Sequence, residues 1–186
     1  MELFERKFAG ALVFVGGAQF LVAMIIAEAL YPGYSVSLNY ISDLGVGPSA
    51  IIFNLSVSVF GLTIVAASFY IRRIFKNLLL SSLVALAGVG AIGVGLFPEN
   101  VPPLHGIFSF VAFFFGAVSA IAAYMIQKSP IRYFSVLMGV MSLLALILFA
   151  TRNDLGLGIG GMERMIAYPI ILWAIGFGGY LMNHFN

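Results

Sequence analysis

Four side chains able to hold or move a charge stand beside long apolar runs: Asp43, His105, Glu163 and Arg164. The chain is 62% hydrophobic and only 9% charged, so each of these groups carries a solvation cost that a partner or a function must offset. An imidazole with carboxylates to orient it is a general acid or base, which makes His105, Asp43 and Glu163 the candidate proton-handling set. His105 opens an apolar run just after Pro102 and Pro103, where a helix N-terminus disfavours imidazolium and favours the neutral ring. Arg164 has the donor geometry for a phosphate or another anion. One histidine and two carboxylates would also suit a divalent cation, but that donor set is weakly specific, so no metal is assigned and no cofactor is named.

Spacing groups further polar residues with these four. In SLNYISDL, Asn39 and Asp43 are four apart and Ser42 is three from Asn39, so one face of a short helix would hold all three. Ser42 and Asp43 are adjacent, about 100° apart on a helix, which argues against a triad of Ser42, His105 and Asp43. Arg164 and Tyr168 are four apart and share a face, and Asn54 lies one turn into an apolar run. Ser42, Asn39, Asn54, Tyr168 and Arg164 are therefore the candidate substrate-binding residues. Asp43 is the expected partner of Arg164.

The elements that must position these groups follow from six apolar stretches, at about 8–30, 50–71, 78–97, 105–127, 133–150 and 162–182. Each approaches the ~20 residues that span a bilayer as a helix. The runs are continuous rather than alternating, which excludes a closed β-barrel. The predicted fold is all-α, a single domain over 1–186, a polytopic membrane protein with a six-transmembrane-helix bundle. A short interfacial helix lies between helices 1 and 2. It is stopped by Gly45, Gly47 and Pro48, with Ser49 as the N-cap of the next span.

Arg6, Lys7, Arg72, Arg73, Lys76, Lys128 and Arg132 all fall on one side of this scheme, and only Arg152 and Arg164 on the other. The side rich in Lys and Arg is the cytoplasmic one, so both termini are expected there, in the cell membrane. His184, near the C-terminus, falls on that side and needs no special role. The candidate residues gather at the opposite, outer side, with Glu28 and Glu99 nearby. The absence of cysteine excludes disulfides, thiolate metal sites and a cysteine nucleophile. No Lys/Arg-rich run exists to bind nucleic acid. GVGAIG and GLGIGG fit a dinucleotide-binding spacing but not its strand–helix setting. The first is expected to pack helices closely, and the second to end a loop before helix 6.

At these residues the chain resembles a known family. NYISDLG, Asn54, GLFP, the helix-opening His105 and GMERMIAYPIILW look like the prokaryotic "domain of unknown function 998" membrane family. The resemblance covers nearly the whole chain and implies a multi-pass membrane protein with no assigned reaction. YISDLGVGPSAIIF is similar to one segment of the damage-regulated autophagy modulators, which directs attention to lipids. The functional reading is an outward-facing Asp/His/Glu/Arg site that binds or modifies a lipid-like or anionic amphiphilic substrate, with membrane lipid as its partner. Catalysis is left open. One alternative is a scaffold whose polar cluster only locks the helices. The other is a small-molecule transporter, although the inner halves of the helices hold little beyond Gln19, Thr63 and serines.

Overall fold

The computed structural model describes residues 2–183, and within them the chain is helical with no strand. The helices are α1 (Glu2–Leu30), α2 (Ala50–Phe75), α3 (Leu78–Leu96), α4 (Pro102–Ala122), α5 (Ile131–Ala150) and α6 (Gly158–Met182). All six are long and apolar enough to cross a membrane. His184 lies outside the described residues. Each helix packs on its neighbours in sequence, and α1 closes the ring by packing on α6. The core of the ring is apolar and rich in aromatics, with Phe20, Phe53, Phe60, Trp173 and Phe177 all buried. Residues 31–49, 97–101 and 151–157 connect helices at one end, called here the loop face.

Two helices run beyond their apolar stretches because polar residues find partners there. At the other end of the ring, Glu5 of α1 pairs with Arg73 of α2 at 3.0 Å, and Arg6 lies over the Phe75 ring. Arg72 and Arg73 also occupy the last turn of α2, where a helix dipole favours cations. The glycines of α3 do pack helices. A Cβ on Gly88 would lie 2.8 Å from the Gly61 carbonyl of α2, closer than any side chain could sit.

α6 corrects one expectation: the glycines at 158–161 are its first turn and not a loop. Gly160 donates its N–H to the Ser37 carbonyl at 3.0 Å, and a Cβ there would collide with the Asn39 carbonyl. Glycine lets the helix start early, pressed against the loop backbone. Pro169 sits inside α6 without ending it. Ser142 of α5 donates to the Ile166 carbonyl at 2.9 Å, one turn from the proline. Neighbouring hydroxyls commonly satisfy backbone groups in this way within lipid.

The expected interfacial helix is also shorter than SLNYISDL. Only a four-residue 3-10 turn, Ser42–Gly45, forms. The Asn39 side chain accepts from the Ser35 N–H at 3.0 Å, and Asp43 accepts from the Tyr40 N–H at 2.9 Å. Short polar side chains here take backbone donors that a helix would need. Ser49 does stand at the N-cap of α2, but its hydroxyl makes no cap bond and turns back to the Leu44 carbonyl at 3.4 Å.

Candidate functional site

The loop of residues 31–49 lies across the end of the ring because the first turns of α6 hold it there. Arg164 is only 4% exposed. Its Nη1 donates to the carbonyls of Val36 (3.0 Å), Asn39 (3.3 Å) and Gly160 (3.0 Å). Its Nη2 donates to Glu28 Oε1 at 2.5 Å and to the Tyr34 hydroxyl at 2.6 Å. The ion pair expected with Asp43 is therefore made with Glu28 instead. Glu28 stands on the last turn of α1, which faces α6 across the ring closure, while Asp43 is held by its own loop. A guanidinium has five N–H donors, and only Nε of Arg164 is left without a partner, buried. Tyr34 in turn donates to the Tyr40 carbonyl at 2.8 Å. Burial pushes its phenol up to about 12 despite the adjacent guanidinium, so it stays a donor. Tyr168 is half-buried beside Glu28 and Arg164.

A second group forms around Asp43. Asn39 donates to Asp43 Oδ2 at 2.9 Å, so the i, i+4 contact read from the spacing is made even without a helix. Facing Asp43 is Glu99, in the link between α3 and α4, within electrostatic reach of Asp43 and Ser42, with its Oε2 buried. Burial, and then the neighbouring Asp43 carboxylate, push the Glu99 carboxyl above the usual range, with the nearby Ser42 hydroxyl opposing. Two carboxyl groups in contact hold a proton between them more readily than two charges. Asn54 of α2 braces this loop by donating to the Gly45 carbonyl at 2.8 Å.

Glu163 is 6% exposed and accepts from the Ile41 N–H at 2.5 Å, within electrostatic reach of Asp43 and Glu99. His105 Nδ1 lies 2.9 Å from the Phe97 carbonyl, and Nε2 lies 3.2 Å from the Ser109 hydroxyl. A carbonyl only accepts, so Nδ1 carries the proton and Nε2 presents its lone pair to Ser109.

Ser42, His105, Ser109 and Glu163 share the lining of one cavity of about 100 Å³ inside the ring. Most of the remaining wall is apolar, including Phe20, Phe60, Phe113, Trp173 and Phe177. From Glu163 to Phe177 the lining descends α6 by about 21 Å, at ~1.5 Å per residue. Trp173 is packed and also lines the cavity, stacked on Phe177 with its indole N–H donating to Ser135 at 3.1 Å.

The candidate residues thus divide. Ser42, His105 and Glu163 share the lining of the cavity, with Asp43 beside Glu99 behind Ser42. Arg164 and Tyr168 belong to the Glu28 lock, Asn39 bridges the two groups, and Asn54 braces the loop. Sequence reasoning left Glu99 and Ser109 out of the site. Ser109 had a signal, its spacing of four from His105 on a helix, and Glu99 had only its position among the outer acids. Among the described residues no three His, Asp or Glu side chains are placed to hold a metal ion together.

No curated protein and no solved structure matches the chain, and the similarity to the autophagy modulators has no counterpart there. A family model does match, over residues 14–180, nearly the whole six-helix ring with its cavity. The chain belongs to the family described as "Protein of unknown function (DUF998)", a multi-pass membrane protein by its six apolar helices.

Proposed function

We propose that this protein binds a lipid-like amphiphile, with an apolar chain in the cavity and a polar end at Ser42, His105 and Glu163. One observation carries the reading: one cavity inside the ring is apolar along most of its length, with Ser42, His105, Ser109 and Glu163 lining it towards the loop face. Its lining runs about 21 Å along α6, more than the ~15 Å of one leaflet of hydrocarbon. Its volume is nearer to the ~150 Å³ cavity that holds one benzene than to a whole lipid. A segment of one chain is therefore the fitting occupant.

The polar end favours a head that donates hydrogen bonds or carries positive charge. Glu163 lines it, and Asp43 and Glu99 stand behind Ser42. Arg164, which by its type suited an anion, has spent all but one N–H on protein acceptors and is here a positioning residue for the 31–49 loop. The same lock favours the scaffold reading for Arg164 and Glu28 themselves, and the two roles coexist. Orientation is part of the proposal. The distribution of lysine and arginine supports a loop face directed out of the cell and cytoplasmic termini.

The test is uptake of a photoreactive alkyl amphiphile by the purified protein in nanodiscs. Wild type is expected to crosslink at cavity residues, and Ala167→Phe, at a buried cavity-lining position, to crosslink at least ten-fold less. Crosslinks confined to the outer surface of the helices in both proteins would refute the reading.

A further inference from the structure

We infer that Ser109 and His105 form a nucleophile–base pair for acyl transfer, acting on an ester of the amphiphile that the cavity holds. The inference rests on the binding reading above and adds chemistry to it. The geometry is that of an activated hydroxyl. The Phe97 carbonyl accepts from the Nδ1–H at 2.9 Å, which fixes the tautomer and the ring plane. That leaves Nε2 as an acceptor with the Ser109 hydroxyl 3.2 Å away, so Ser109 points its proton at a base. Nucleophile, base and an orienting group on the base are the arrangement that makes a serine reactive, and the bond is often this long before substrate binds.

Position supplies the rest. His105 and Ser109 are one turn apart on α4, and both line the polar end of the cavity. An acyl chain lying in the apolar part would bring its carbonyl to this end. Glu163 lines the same cavity.

The step balances without a redox partner. Ser109 Oγ forms a bond to the acyl carbonyl carbon as its proton passes to His105 Nε2. The bond from that carbon to the alcohol oxygen breaks, and the alcohol leaves with the proton from Nε2. A hydroxyl-bearing acceptor, water or a second amphiphile, then takes the acyl group by the reverse sequence and restores Ser109. His105 and Ser109 are on this reading catalytic residues, and Phe97 contributes through its backbone alone.

The experiment uses the full chain in nanodiscs and a long-chain alkyl fluorophosphonate, which phosphonylates activated serines. Wild type is expected to be labelled at Ser109, located by mass spectrometry. Ser109→Ala is expected to lose at least ten-fold of the label. His105→Gln is expected to slow labelling by about 10²-fold or more, the low end of a general base's contribution. Uptake of the alkyl photoprobe is measured on each variant in parallel. If wild type takes up the photoprobe but Ser109 is not phosphonylated, or if Ser109→Ala labels as wild type does, the inference is overturned while the binding reading stands. If wild type takes up no photoprobe, the binding reading falls and this inference falls with it.

Discussion

Replacing Arg164 by alanine should cost about 3–5 kcal/mol of stability, the range for removing one partner of a buried ion pair. The structure shows where that comes from. Arg164 makes bonds of 3.0 Å to Val36 and Gly160, 2.6 Å to Tyr34 and 2.5 Å to Glu28. Each hydrogen bond to a charged group contributes roughly 1.5–3 kcal/mol, and unit charges about 4 Å apart attract by roughly 4 kcal/mol at an effective dielectric near 20. The sum overshoots, because desolvating the guanidinium offsets much of it. What the alanine variant keeps is the penalty side: a Glu28 carboxylate only 18% exposed with no cation beside it. Equilibrium unfolding in mixed micelles, followed by the single tryptophan, Trp173 of the same helix, reads the change directly. Glu28→Ala and the double variant complete a cycle, and the two single losses should exceed the double loss by about 0.5–3 kcal/mol. A cost below about 1 kcal/mol for Arg164→Ala, or two singles that add to within ~0.5 kcal/mol, would refute the reasoning.

Glu99 has a folded-state carboxyl raised above its ordinary value of 4.5, so the native protein keeps that proton where the unfolded chain has lost it. Its contribution is whole below that ordinary value and is lost as pH rises through the folded one. The thermal midpoint of wild type should therefore fall relative to Glu99→Gln as pH increases from about 4.5. Parallel curves for the two proteins would show that Glu99 is not the group responsible. Topology is open to labelling because the chain has no cysteine of its own. Leu38→Cys, at a position 71% exposed on the loop face, should react with an impermeant maleimide in intact cells. Lys76→Cys should react only after permeabilisation, and the opposite pattern would invert the orientation.

What the sequence made legible was whatever depends on local chemistry. Six helices followed from unbroken apolar runs, since lipid admits only helices and closed barrels and a barrel needs alternating strands. The contact of Asn39 with Asp43 followed from their spacing, although a folded-back turn and not a helix provides it. The partner of Arg164 was not legible. It depends on α1 closing on α6, and a list of spans does not order a ring. Charge type alone left Asp43, Glu28 and Glu99 equivalent. The Tyr40 backbone N–H and the Asn39 side-chain amide hold Asp43 elsewhere, and only coordinates place those donors. The start of α6 was misplaced for a related reason. Glycines read locally as freedom were serving close approach to a loop that lies more than a hundred residues earlier in the chain.

The lock between α1 and α6 also bears on how the protein is made. α6 is the last of the six helices to be synthesised and the least suited to lipid, with a mean hydropathy of 1.6 against 2.1 to 2.3 for the others. Until it emerges, Glu28 waits in the bilayer margin without its cation, and the 31–49 loop has nothing to hold it across the ring. Arg164 and Glu163 in their turn enter a membrane in which their partners are already in place. The contacts that complete the ring are thus all contributed by its final helix. A ribosome-bound chain stopped before residue 158 would expose an unfinished seam, the kind of surface that membrane quality control recognises.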